Sequence, residues 1–488
     1  MNLSLMSLEI AVAALGIIVL LADLWLPAER RRALGYAAAA ALVVLLLNSF
    51  TSHCSCALNG STADGMFVQD ALSIFFKRFF LLAGALVLVL AVEFSDRIAT
   101  GVSEYFSLIV FALVGMLFAA SSNNFAMLFV SIELITITFY VLTSFQRGKV
   151  VSLEAGVKYL ILGGLSSAFM VFGIALVWGT SGKFNFDELA MVSAQFSGNK
   201  LFLMGVLMVL VGLGFKIAAF PFQIWAPDVY QGAPTPTTAF LAVGSKAAGF
   251  VLLLRFLFTA IPDVTARWEK LLIVISAVTI LYGNLCALPQ RNLKRMLGYS
   301  SIAHAGYLLL GVAAMAGSIH GSTQGGSALL YYLGGYLFTT TAAFTVIAIV
   351  MRQLESEDVG GLAGLNQRSP FLAATMTLAM ASLAGIPPLA GFFGKFLLLK
   401  AVIEQAASNP AYYYLTGIAL IGVVISLYYY FGVVRAMYWG GAATSREPIV
   451  FSLPMRLAIM CCVAGMFWLG IAPSSMLKLA ETAALILK

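Results

Sequence analysis

Long apolar runs follow one another along almost the whole 488-residue sequence, separated by short polar breaks. A helix that crosses the hydrocarbon core of a bilayer needs roughly 20 predominantly apolar residues. Runs of that kind fall near residues 5–26, 33–50, 71–94, 104–121, 124–145, 155–178, 201–222, 236–260, 271–289, 293–315, 327–351, 370–405, 411–438 and 454–473, about fourteen in all. They lack the period of two that a lipid-facing barrel requires, and backbone polar groups cannot be left unsatisfied in hydrocarbon. The expected fold is therefore all-α, a polytopic membrane protein of about 14 transmembrane helices. Composition excludes a soluble globular chain, since 61% of residues are hydrophobic and only 10% charged. The first run has no basic residue before it and is followed by Arg30, Arg31 and Arg32, so it reads as a retained span rather than a cleaved signal.

The net charge of +7 does not mark a nucleic-acid protein, because the basic residues are scattered singly or in threes over short loops. Counted on alternate sides, one set of loops collects fourteen of them, Arg97, Lys294 and Arg295 included. The other set has eight: Lys77, Arg78, Lys183, Lys200, Arg267, Lys270, Lys478 and Lys488. The richer side is expected in the cytoplasm, which puts both termini outside. The remaining six, Lys158, Lys216, Lys246, Arg255, Lys395 and Lys400, fall in or at the edges of spans. Of these, Arg255 and Lys400 are expected to snorkel to the surface. Cys54 and Cys56 sit in an outer polar loop where oxidation is open to them; Cys286, Cys461 and Cys462 read as inert thiols. No cysteine spacing reads as a zinc or iron–sulfur site.

Two spans are interrupted in the same way. In one, Gly212, Gly214 and Lys216 precede Pro221 and the Trp225-Ala226-Pro227-Asp228 stretch; in the other, Gly385, Pro387, Pro388, Gly391 and Gly394 lead to Lys395. Paired interrupted segments point to an internally repeated transporter with its ion path at the breaks. A fainter echo joins Ser131-Ile132 to Ser301-Ile302. The division expected from this is an N-terminal three-helix segment over 1–103, a first five-helix repeat over 104–260, a second over 261–438, and a C-terminal helix in 439–488. An odd number of helices per repeat inverts the second copy.

Soluble catalytic motifs are missing: there is no G-x-x-x-x-G-K-[ST] loop, and the glycines between 360 and 364 follow no strand. His53 and His320 lie in loops, leaving His304 as the membrane histidine, so a haem on two membrane histidines is excluded. The chemistry rests on ionisable side chains at membrane depth. Glu133 and Lys246 each lie about ten residues into a span, on the order of 15 Å from the nearer surface, and Lys216 and Lys395 mark the breaks. A charge at that depth is unfavourable by several kcal/mol unless paired or wetted. Four of them imply a hydrated polar axis suited to proton transfer, in which a lysine's proton affinity depends on its distance from a carboxylate. His304 titrates near neutrality in water and is a further carrier or a helix–helix hydrogen-bonding group. The structural alternative for Glu133 and Lys246 is a fixed interhelical salt bridge. Glu154 and Lys158, spaced i, i+4 at a cytoplasmic helix end, read as an ordinary surface pair in a place that suits a channel mouth. The tyrosines at 412–414 and 428–430 read as packing or interfacial residues.

The stretch Gly214-Phe215-Lys216, through Phe220-Pro221-Phe222, to Trp225-Ala226-Pro227-Asp228-Val229-Tyr230-Gln231-Gly232-Ala233-Pro234-Thr235-Pro236 resembles the antiporter-like membrane subunits of respiratory complex I. So do Lys294 through His304 and Leu383 through Pro388, and the resemblance covers essentially the whole chain. Asp228 through Pro234 is its most specific part. Lys395, where subunit M typically has glutamate, and the absence of the long lateral helix of subunit L set the chain apart from those two sisters. The resemblance implies two inverted five-helix repeats and one proton pathway through Glu133, Lys216, Lys246 and Lys395. It implies no cofactor in this chain, with flavin, iron–sulfur clusters and quinone in partner subunits. Subunits M and K are the implied partners, and a bacterial plasma membrane the implied location, with the termini periplasmic. The expected function is proton translocation coupled to NADH:quinone redox chemistry elsewhere. The rival readings are an Mrp-type sodium/proton antiporter subunit and a non-transporting scaffold. Sodium sites favour several hard oxygen ligands, and one deep carboxylate leans toward protons.

Overall fold

The computed structural model describes residues 3–27, 30–51, 60–62, 64–318, 322–352, 357–440 and 449–487; His53, Cys54, Cys56 and His320 lie outside these. Thirteen of its helices are long and apolar enough to cross a membrane. The first three are α1 (Ser4–Ala22), α2 (Arg31–Asn48) and α3 (Ala71–Arg97). There follow α4 (Val102–Ala120), α5 (Phe125–Thr143), α6 (Val150–Ser181), α7 (Lys200–Ile217), the short α8 (Trp225–Gly232), and α9 (Thr235–Ala260). Then come α10 (Pro262–Ala287), α11 (Leu293–Ala316), α12 (Gln324–Val350), the half-helices α13 (Pro370–Ala384) and α14 (Ala390–Gln405), and α15 (Ala411–Trp439). The chain closes with α16 (Leu453–Ile471) and the short α17 (Ser474–Ala484). With α13 and α14 making one crossing between them, the fourteen expected spans are present. A small antiparallel hairpin, β1 (Gly60–Thr62) with β2 (Phe67–Gln69), precedes α3.

The order of whole and split helices in α4–α9 recurs in α10–α15. Helices α9, α11 and α12 are enclosed along nearly their whole length, whereas α2 and α6 keep most of their surface outward. In lipid the enclosure of helices depends on close packing and small residues rather than on hydrophobicity alone. Between α10 and α11, a Cβ at Gly283 would stand 2.4 Å from the Ala303 nitrogen, so that crossing brings backbones together.

Both breaks are visible as the sequence placed them. Helix α7 stops at Ile217, with Ala218 left-handed at φ 58° and the Ala219 N–H closing onto the Gly214 carbonyl at 2.9 Å. Helix α13 stops at Gly385, φ 92°. Each break carries a cis X–Pro bond, Phe220–Pro221 and Pro387–Pro388. Beyond the second, Gly391 lies so close to α13 that a Cβ would fall 1.8 Å from the Ser382 carbonyl oxygen. Gly391→Ala is therefore expected to destabilise the chain by about 1–3 kcal/mol through overpacking, lowering the thermal midpoint of the purified protein. Gly417→Ala, whose Cβ would meet nothing within 4 Å, should leave it unchanged.

Three basic residues stand elsewhere than expected. Arg255 does not snorkel: α9 is enclosed on every side, its guanidinium cannot reach a surface, and it is neutralised at 2.8 Å by Asp70, the N-cap of α3. Lys77, counted with the outer loops, lies inside α3 and pairs with buried Glu9 at 2.7 Å while donating to Gln69 Oε1 at 2.6 Å. Lys294, counted with the cytoplasmic loops, is buried between the Ala233 carbonyl and Glu357, at 3.0 and 2.9 Å. Lys400 is half-exposed beside Glu404, as a surface-seeking lysine should be.

Candidate proton-transfer site

The last four carbonyls of a helix lack intrahelical donors, and its C-terminus carries partial negative charge. Lys395 uses those carbonyls directly, and Lys216 is placed near such an end. Lys216 lies in the last turn of α7. Lys395 is the sixth residue of α14 and reaches back across its break to donate to the carbonyls of Leu383, at 2.8 Å, and Ala384, at 3.1 Å, in the last turn of α13. The two lysines therefore stand on opposite sides of their breaks: Lys216 belongs to the last turn of the first half-helix, whereas Lys395 belongs to the second half-helix and binds the end of the first. Gly385 clears the approach, since a Cβ there would stand 3.1 Å from Lys395 Cδ.

From α7 the polar groups continue on both sides. Lys216 Nζ donates to Thr136 Oγ1 at 3.0 Å. Thr136 is three residues along α5 from Glu133, whose carboxylate accepts from the Ser167 hydroxyl of α6. Among the described residues no ion pair within 4.0 Å locks Lys216 to Glu133. On its other side the stem of Lys216 crosses α9 at Gly249, where a Cβ would lie 3.2 Å from Lys216 Cγ. One turn earlier on α9 is Lys246, immediately after the π-helical turn Leu241–Ser245. Such turns cluster at functional sites.

Lys246 Nζ donates to the carbonyl and hydroxyl of Ser301 on α11. The Ser301 hydroxyl also meets Tyr230 OH at 3.0 Å and accepts from Tyr336 OH at 2.9 Å. At spacing three along α11 come His304 and Tyr307. The His304 ring nitrogens contact Tyr332 OH and, at 3.0 Å, Tyr430 OH, and the Lys395 ammonium lies 4.9 Å from the Tyr307 ring centre. Lys216, Lys246, Lys395 and His304 are each at most 4% exposed. The enclosed face of α11 thus joins the two lysine neighbourhoods.

Glu154 and Lys158 are more than a helix-surface pair. Lys158 binds Glu154 at 2.7 Å and Asp228 at 2.7 Å, and Asp228 is also held by Arg295, which donates to Gln231 at 3.0 Å. The cluster bolts α6 to α8 and α11. Asp228 occupies the first turn of α8, where the helix dipole favours a carboxylate. Sequence reasoning gave no site role to Asp228, Arg295, Thr136 or the tyrosines 230, 332 and 336, and read Tyr430, which is buried against His304, as a packing or interfacial residue. The available signal was periodicity: Ser301, His304 and Tyr307 repeat at spacing three on an apolar helix. Among the described residues no group of three or more His, Cys, Asp or Glu side chains is placed to hold a metal ion.

Fourteen crossings, two of them broken, around an interior line of lysines define an antiporter-type membrane subunit. The family described as "NADH:quinone oxidoreductase/Mrp antiporter, TM" matches residues 122–425, and the chain belongs to it. Within that family it belongs with NADH-quinone oxidoreductase subunit N: the Moorella thermoacetica protein of that name is 38% identical, over 99% of this chain and 98% of its own. Among solved structures, a chain of respiratory complex I from Thermus thermophilus superimposes with TM-score 0.78 at 30% identity, covering 96% of this chain and 98% of that one. A chain of the Mrp complex from Dietzia sp. DQ12-45-1b, at 20% identity, shares the fold with TM-score 0.83 over 100% and 98% of the two chains. The resemblance carried by the sequence motifs is borne out.

Proposed function

We propose that this chain is the part of an NADH:quinone oxidoreductase that carries protons across the membrane, along Glu133, Lys216, Lys246, His304 and Lys395, with Glu154 and Lys158 at the cytoplasmic mouth. The observation that carries this reading is the line of ionisable and hydroxyl groups, from Ser167 through Glu133, Thr136, Lys216, Lys246, Ser301 and His304 to Lys395, through an otherwise apolar interior. Hydroxyls both donate and accept, so a proton arriving at one nitrogen of His304 has a partner for departure at the other. Moving an ammonium between a helix C-terminus and a carboxylate changes how tightly it holds its proton. Thr136 as the partner of Lys216 in place of Glu133 leaves that movement available. In this reading 104–260 and 261–438 are inverted repeats, each supplying one break. Redox chemistry, flavin, iron–sulfur clusters and quinone belong to partner subunits, with M and K as membrane neighbours. The complex sits in a bacterial plasma membrane with this chain's termini in the periplasm.

The test is Glu133→Ala in the assembled complex, following NADH:quinone turnover and acidification of membrane vesicles with and without sodium. Loss of acidification with assembly intact is the expected result. Persistence of both turnover and acidification would make the chain a scaffold, and a sodium requirement would make it an antiporter of the Mrp type.

A further inference from the structure

We propose that a groove on the flank of α15 binds one anionic phospholipid. A cavity of about 810 Å³ opens there, between the end of α10, the start of α11, the turn at 358–360 and the last three turns of α15. Its wall changes character with depth. At the mouth stand Arg291, just before α11, and Arg435, one turn before Trp439 at the end of α15; both arginines are exposed. Deeper along α15 the lining is apolar and aromatic, through Phe431 to Tyr428. From Trp439 to Tyr428 the helix descends about 16 Å at 1.5 Å per residue, roughly half of a hydrocarbon core about 30 Å thick. The groove therefore has the length of a single leaflet.

Charge selects the occupant. Two guanidinium groups against one carboxylate, Asp358, leave the mouth net positive. Arginine matches phosphate oxygens with paired donors, and basic pockets between membrane helices on the cytoplasmic side take anionic head groups. Trp439, 76% exposed, has the placing of an aromatic ring at a membrane interface, while Tyr428, 73% exposed, lies at the deep end of the groove. In the wall between them, a Cβ on Gly432 would meet nothing within 4 Å, so that glycine leaves a notch open along the groove. Behind the wall, Tyr429 OH bonds Asn284 and Tyr430 OH bonds His304, at 2.9 and 3.0 Å. A lipid seated here covers the outer side of the buried polar line.

The measurement is native mass spectrometry of the assembled complex after delipidation, titrated with phosphatidylglycerol or with phosphatidylcholine of the same chain lengths. The wild-type complex should retain one phosphatidylglycerol more tightly than phosphatidylcholine. Joint replacement Arg291→Ala and Arg435→Ala should weaken it on the order of 30-fold, and Gly432→Trp, which fills the notch, should abolish it. The proposal fails if the complex holds the two lipids equally, or if Gly432→Trp leaves retention unchanged. It fails too if Gly432→Cys cross-links to a neighbouring polypeptide rather than to a photoactivatable phosphatidylglycerol, which would make the groove a protein interface. If the arginine variant does not assemble, the two Gly432 variants decide.

Discussion

Lys216→Met is expected to lower proton translocation on the order of 100-fold, the usual scale for losing a positioned proton-transfer group, while the complex still assembles. Assembly should survive because removing a charge from a buried site relieves its desolvation, and Thr136, the partner left behind, already donates its hydroxyl to the Ile132 carbonyl at 2.6 Å. Lys216→Arg separates carriage from charge. Arginine keeps the positive charge at the end of α7 but does not give up its proton in a protein. If the ammonium serves only to balance the helix terminus, Arg restores pumping; if it carries the proton, Arg fails as badly as Met. Acidification of vesicles normalised to NADH:quinone turnover reads the difference. Near-normal pumping in the Lys216→Met complex would remove this residue from the path.

The features legible in the sequence are those written in local composition. Span number follows from apolar run length, and the two breaks follow from glycine and proline inside such runs. The intramembrane lysines stand out because a charge in hydrocarbon needs a reason. Partners were not legible, because they come from helices distant in the chain. A fixed salt bridge was the alternative for Glu133 and Lys246, yet Lys246 is taken by Ser301 and the Glu133 carboxylate accepts from Ser167. Lys216 and Lys395 suggested equivalent places in two repeats, yet they lie on opposite sides of their breaks, and only Lys395 binds a helix end, while Lys216 binds Thr136. The misplacement of Lys77, Lys294 and Arg255 has one cause. Counting Lys77 and Lys294 by side and expecting Arg255 to snorkel both treat a charge as solvent-facing, and neither registers a carboxylate brought from elsewhere in the chain.

Arg255 makes that last point testable. Its guanidinium is 1% exposed and bonded to Asp70 and, at 2.9 Å, to the Ala120 carbonyl. Asp70 in turn caps α3, accepting from the Ser73 N–H at 2.7 Å while its own N–H donates to Ser73 Oγ at 2.8 Å. Arg255→Met leaves this carboxylate buried without its cation, which should destabilise the chain by about 3–5 kcal/mol and deplete it from assembled complex in the membrane. Asp70→Asn alone strands the guanidinium and should be comparably harmful. Asparagine remains an effective N-cap, so combining Arg255→Met with Asp70→Asn removes both charges and keeps the cap. The double variant is expected to recover most of the assembled complex, with a coupling of at least about 1 kcal/mol between the sites. Additive losses would mean that the two side chains are not partners in the folded membrane protein. Full assembly of Arg255→Met alone would mean that its charge reaches water after all, as the apolar run first suggested. Since Arg255 and Lys246 share α9, the same pair also ties the N-terminal helices to the helix that carries a central lysine. The double variant should therefore restore pumping only insofar as it restores the position of α9.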